Sequence, residues 1–258
     1  MAYKPPFTTN DEILTLVANI AEKVGQVEAF DKLNSSPQLR KENRIRTIHS
    51  SLAIENNSLS LDQVTAVIEG KHVLAPARDV LEVQNALATY EALDSFDPDS
   101  IDSLLEAHAL LMRGLTPEAG RFRSGDVGVF NGDQLIHAGT PAKYVPEVMR
   151  ELFSWLATTE MHLLVISCVF HYEFEFIHPF ADGNGRMGRL WQTLILSRWN
   201  SLFAWLPIES LIKENQQEYY DSLGKADASA DSTGFVQFML NVISDALDEA
   251  LDSHGVSG

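Results

Sequence analysis

A polar twelve-residue insert, His178-Pro-Phe-Ala-Asp-Gly-Asn-Gly-Arg-Met-Gly-Arg189, separates two stretches that both read as helix. Upstream, Met161 to Ile177 is mostly apolar and reads as one long buried helix. Downstream, the sequence RMGRLWQTLILSRW continues as a second helix. The chain must therefore bury two helices while turning a charged loop between them. Gly183 and Gly185 let that loop turn where other residues clash. The N–H groups of Gly183, Asn184 and Gly185 then lie at a helix start, with the positive dipole end behind them, which makes an anion site. Arg186 and Arg189 are three apart, so they share one helix face and add two fixed positive charges. Asp182 suits a hard divalent cation such as Mg2+, which usually arrives with a polyphosphate. His178 is the proton acceptor beside it. The residues describe a nucleotide-phosphate site with a built-in base.

Other readings of the same residues fare worse. Gly183-Asn-Gly185-Arg-Met-Gly188 matches G-x-G-x-x-G, and HYEFEF before it alternates like a strand, as in a dinucleotide-binding turn. Two arginines in and beside that pattern are unusual, and the rest of the chain reads helical. Glu175-Phe-Ile-His178 is a Glu-x-x-His pair of the di-iron type, which needs a second helical pair and two further glutamates. The other such pair is Glu69-Gly-Lys-His72, where Gly70 ends the helix. A loop whose glycines only turn the chain leaves the Asp, Asn and two Arg unexplained.

The 258 residues suffice for one large domain or two small ones, and 45% apolar content is normal for a full core. No run approaches 18 apolar residues, so no membrane span is expected. The start, MAYKPPFTTNDE, lacks a charged-then-apolar signal. Cys168 is the single cysteine, so the chain has no internal disulfide and fits a reducing cytoplasm. The net charge of −17 argues against nucleic-acid binding, which draws its affinity from basic patches.

Helices are expected over most of the chain. Thr9 with Glu12 resembles a capping box for a helix running to about Leu33. Ser36-Pro37 starts a second helix ending near Glu55-Asn56, with Asn56 as a left-handed cap. Others are expected at Leu61–Glu69, Ala77–Ser95, Ser100–Arg113, Lys143–Ala157, Met161–Ile177, Gly185–Trp199, Pro207–Lys225 and Ser232–Asp252. Asn131-Gly132, between short β-type runs, signals a hairpin. His171 and His108, in apolar helical segments, read as hydrogen-bonded core histidines.

HPFADGNGRMGR resembles the signature of the Fic family, His-x-Phe-x-Asp/Glu-Gly-Asn-Gly-Arg-x-x-Arg, at every defined position. The resemblance extends from about Pro5 to Asp245. It implies a mainly helical, all-α Fic fold with a small β-hairpin flap at about 123–137. It also implies N-terminal helices at 1–75 on a core at 76–258, in one compact unit. The implied activity is transfer of AMP from ATP to a hydroxyl side chain of a target protein. By the same resemblance His178 deprotonates the hydroxyl, Phe180 anchors the loop, and Asp182 holds Mg2+. Gly183, Asn184 and Gly185 bind the α- and β-phosphates, Arg186 the α/β region, and Arg189 the γ-phosphate. The flap holds the target backbone by strand addition and aims a Ser, Thr or Tyr hydroxyl at the histidine. One proline, Pro141, follows the flap where relatives often have two.

Ser51-Leu-Ala-Ile-Glu55-Asn56 matches Ser/Thr-x-x-x-Glu-Gly/Asn, which in Fic proteins marks an inhibitory helix, here about 37–56. Ser51 and Glu55 are i and i+4, so they stack on one face. A carboxylate given to Arg189 would displace the γ-phosphate and leave ATP unfit for in-line attack. The expectation is an autoinhibited, Mg-ATP-dependent protein adenylyltransferase that also modifies itself. It acts in the cytoplasm, without nucleic acid or membrane, and homo-oligomers are compatible with it. Two alternatives stay open: removal of AMP with Glu55 orienting a water, and an ATP-sensing interaction module.

Overall fold

The computed structural model describes residues 3–29, 36–131 and 134–252. Eleven α-helices and one hairpin lie among the described residues. α1 (Asp11–Ala29) is capped by Asn10, whose Oδ1 accepts from Ile13 N at 3.0 Å. The cap is thus one residue later than the Thr9 box expected from sequence, and the expected end at Leu33 lies outside the described residues. α2 (Pro37–Ile54) starts as expected, with Ser36 Oγ accepting from Leu39 N and Pro37 opening the first turn. It ends where Asn56 turns left-handed at φ 66°. α3 (Leu61–Ile68) carries a full capping box, Ser60 with Gln63. α4 (Ala77–Glu91) is followed by a 3-10 turn at Leu93–Ser95, so the helix expected to Ser95 tightens in its last turn. α5 (Ile101–Leu111) is capped by Ser100.

The hairpin pairs β1 (Gly128–Asn131) with β2 (Gln134–Ala138), antiparallel, with a register shift between Val129 and Phe130. Asn131 pairs with Gln134, and the Gly132 of the expected turn lies outside the described residues. α6 (Val145–Thr158) follows, and then the central pair.

α7 (Leu163–Ile177) and α8 (Asn184–Trp199) form the centre. Every residue of α7 from Leu164 to Phe174 is buried, the polar Ser167, His171 and Glu173 among its apolar neighbours included. α9 (Ile208–Glu214), α10 (Gln216–Ser229) and α11 (Thr233–Asp252) complete the bundle. The single helix expected over Pro207–Lys225 is therefore two, broken at Asn215. α1 packs on α11, and α2 on α9. Among the described residues no helix is long and apolar enough to cross a membrane. Cys168 is buried, and burial pushes its thiol up to about 12, so it is inert packing.

Candidate functional site

The segment between α7 and α8 makes a tight, internally bonded loop. Its first residue, His178, caps α7 in the left-handed region (φ 52°, ψ 61°). For a non-glycine residue that conformation costs about 1–2 kcal/mol and persists only where neighbours impose it. Here His178 N donates to Phe174 O at 2.9 Å, and His178 O accepts from Arg123 Nε at 2.7 Å. The ring Nδ1 lies 3.3 Å from Glu175 O. A carbonyl only accepts, so that contact places the proton on Nδ1 and leaves Nε2 as the basic nitrogen.

Phe180 is fully buried and stacks on His108 at 3.6 Å, with the rings nearly parallel. His108 is more than packing. Gly120 N donates to its Nδ1 at 2.9 Å, so its Nε2 carries the proton and donates to Asp182 O at 3.0 Å. Burial pulls its pKa down to about 4, which keeps it neutral and this tautomer fixed. His171 is also buried, bonded to Gln192 Oε1 at 2.6 Å and Tyr219 Oη at 3.0 Å. It is the core histidine expected.

Asn184 closes the loop. Its Oδ1 accepts from Phe180 N and its Nδ2 donates to Phe180 O, both at 2.8 Å. Its side chain is thus committed to the loop, and only its backbone N–H is available to an anion. Gly183 begins α8 at φ 86°, a conformation open to glycine. The first intrahelical bond runs from Met187 N to Gly183 O at 3.0 Å. The N–H groups of residues 184–186 therefore belong to the unpaired first turn.

Three guanidinium groups and three carboxylates surround this turn. Arg186 Nη2 donates to Asp182 Oδ1 at 2.9 Å, and Arg186 Nη1 lies 3.3 Å from Glu82 Oε1. Arg78 Nη2 donates to Asp182 Oδ2 at 3.0 Å. Arg189 is almost fully buried and binds the end of α2. Its Nη2 donates to Glu55 Oε1 at 2.8 Å and to Ser51 O at 3.0 Å, and its Nε donates to Ser51 Oγ at 3.1 Å. Its Nη1 is buried with no protein partner, a donor facing the helix start. The Glu55 carboxylate lies over Gly185: a Cβ there would fall 2.2 Å from Glu55 Oε1 and 3.1 Å from Arg189 Nη1. The cradle at the start of α8 thus holds a carboxylate where an anion site was expected.

The structure brings His178, Phe180, Asp182 to Arg186, Arg189, Ser51 and Glu55 to one place. Arg78, Glu82 and Arg123 were missed; His108 is the hydrogen-bonded core histidine expected, but its bond to the loop carbonyl of Asp182 was not foreseen. Arg78 and Glu82 stand at helical i, i+4 spacing, a visible signal, but nothing local ties them to a loop about a hundred residues on.

A crystal structure of a Fic family protein from Desulfovibrio desulfuricans G20 is 55% identical and superposes with a TM-score of 0.95, over 99% of this chain and 79% of that one. The chain belongs to the Fic family. The Fic/DOC family profile matches residues 98–196, which span α5 to α8 and include the loop. Fic-1 of C. elegans is 28% identical in its solved structure, with a TM-score of 0.70 over 92% of this chain and 77% of that one. The protein adenylyltransferase Fic of Nematostella vectensis is 29% identical over 245 residues, 88% of this chain and 55% of that protein. The chain spans about half the length of the curated relatives it matches.

Proposed function

We propose that this Fic protein is an autoinhibited protein adenylyltransferase, moving AMP from Mg-ATP to a hydroxyl of a target protein and of itself. The observation that carries this is the pair of His178 and the anion cradle, with Glu55 standing in the cradle on Arg189. Curated relatives matched over most of this chain are named protein adenylyltransferases.

The steps follow from the side chains. His178, with Nδ1 facing Glu175 O, takes the hydroxyl proton at Nε2. The hydroxyl oxygen bonds to the α-phosphorus as the α–β bridging bond breaks. AMP stays on the target, and pyrophosphate leaves with the bonding pair. The first-turn N–H groups, Arg186 and Arg189 hold the phosphate charge in place. Asp182 offers Mg2+ one carboxylate whose side chain is 40% exposed, both oxygens now on arginines. No group of three or more metal-binding side chains gathers among the described residues. A single carboxylate, completed by phosphates and waters, is the usual arrangement for Mg2+, which neutralises part of the phosphate charge. The hairpin receives the target as an added strand. With Arg189 bonded to Glu55, the donor needed by the γ-phosphate is occupied, so residues 1–75 act as a brake on the core at 76–258.

The test is label transfer from α-labelled ATP to the protein itself and to a cell lysate. The Glu55→Gly protein should incorporate clearly more label than the parent, and His178→Ala in that background should lose it. Equal labelling of parent and Glu55→Gly, or undiminished labelling without His178, would refute the assignment.

A further inference from the structure

Arg123 is 3% exposed, and every bond it makes goes to a backbone carbonyl. Nε donates to His178 O at 2.7 Å, and Nη1 to Gly125 O at 2.9 Å. Nη2 donates to Thr140 O and, at 3.3 Å, to Ile177 O. Its own N–H donates to Pro179 O at 3.0 Å. A buried guanidinium is costly unless its donors are used, and here all three nitrogens are.

The carbonyls come from two places that the sequence keeps apart. Ile177, His178 and Pro179 are the hinge that carries the histidine. Gly125 and Thr140 are the two feet of the hairpin, closed further by Gly139 N donating to Val127 O at 3.2 Å and Ala142 N donating to Asp126 Oδ1 at 2.7 Å. Gly139 rests on both partners: a Cβ there would lie 3.1 Å from Arg123 Nη2 and 3.4 Å from the Cβ of His178. The hairpin base and the histidine therefore share one clamp.

The geometry points to Arg123 as a positioning residue for the transfer reaction, fixing His178 and the hairpin that receives the target in one frame. It rests on the assignment of His178 as the base. Arg123 touches no reacting atom. It acts by holding the left-handed turn of His178 through that residue's own carbonyl, and the hairpin feet through theirs. The ATP cradle on α8 is held by Asn184 and His108 and does not depend on it.

That separation supplies the test. In the Glu55→Gly protein, Arg123→Met and Arg123→Lys are compared for Mg-ATP affinity and for self-labelling at saturating Mg-ATP. Misplacing a base by about an ångström lowers transfer by roughly ten- to a hundredfold. The expected result is such a loss in Arg123→Met with ATP affinity within about twofold, and partial recovery with lysine, which can reach one or two of the carbonyls. Transfer within about twofold of the parent, or ATP affinity falling in step with transfer, would overturn the inference. Gly139→Ala keeps Arg123 but pushes on it and on His178. It should slow labelling several-fold at an unchanged melting temperature, and an unchanged rate would count equally against the clamp. Labelling that survives His178→Ala removes the assignment of the base; labelling lost there but kept in Arg123→Met removes the clamp alone.

Discussion

Arg189 Nη2 donates to Glu55 Oε1 at 2.8 Å, joining the start of α8 to the end of α2 across 134 positions of sequence. The guanidinium is almost wholly buried, whereas the Glu55 side chain is 33% exposed. Removing the glutamate therefore leaves a buried cation that seeks another anion, and the helix start beside it is where one fits.

One arginine serving two anions predicts strong non-additivity. Glu55→Gly should raise self-labelling, by about tenfold or more if the competition is worth about 1.4 kcal/mol. Arg189→Ala should not raise it, because the brake and the γ-phosphate lose the same anchor. The double variant should match Arg189→Ala. Labelling assays on all four proteins decide this; a double variant as active as Glu55→Gly means that Glu55 inhibits by some route other than Arg189.

The end of α2 is held from the joint between α9 and α10. Lys213 Nζ donates at 3.0 Å to Ala53 O, which also accepts from Asn56 N, and Gln216 Nε2 donates at 3.2 Å to Ile54 O at the helix end. Lys213→Met should speed amide exchange over residues 53–57 and raise basal self-labelling a few-fold, with no further gain once Glu55 is glycine. Exchange rates that do not change would show that packing alone fixes the brake.

Asp182 accepts from Arg186 at 2.9 Å and from Arg78 at 3.0 Å. Asp182→Asn keeps the shape and removes the charge, so the Mg2+ concentration for half-maximal labelling should rise by roughly tenfold or more. A titration superimposing on that of the parent means phosphate oxygens alone hold the ion.

What the sequence reveals about this site depends on how far each contact reaches. Residues 178–189 are contiguous, so their chemistry could be read directly, and the apolar character of 161–177 already specified a buried helix. Ser51 and Glu55 are legible as a pair because both sit on one helix face, but their meeting with Arg189 came only through the family resemblance. Arg123 and Lys213 were illegible for a different reason. Their partners are carbonyls, which every residue has, so no side-chain pattern announces them. The break at Asn215 was missed likewise: apolar periodicity runs on through 207–225, while the turn there places Lys213 and Gln216 on α2. Thr9 was expected to cap α1, and the structure gives that role to Asn10, whose Oδ1 accepts from Ile13 N.

Glu175 and the two buried histidines predict how stability depends on pH. Glu175 Oε1 is buried without a hydrogen bond, and burial pushes its pKa up to about 8, with Arg189 pulling it down and Glu55 adding to the rise. The folded state therefore keeps a proton that an unfolded carboxyl gives up above about 4.5, and stability falls as pH rises from there to about 8. For His171 and His108 the sign is reversed. Burial lowers both from 6.5 to about 4, so the unfolded state gains protons first and stability falls as pH drops through that window. Glu175→Gln holds the neutral form at every pH and should flatten the alkaline arm alone. Relative to the parent it should gain up to roughly 1.4 kcal/mol per pH unit between pH 5 and 8. Glu173, raised to about 7 largely by burial, is present in both proteins and cancels in the difference. Urea unfolding of the two proteins from pH 4 to 9 measures it. Stability curves that run parallel between pH 5 and 8 would mean that Glu175 is already ionised beside Arg189 in the folded protein.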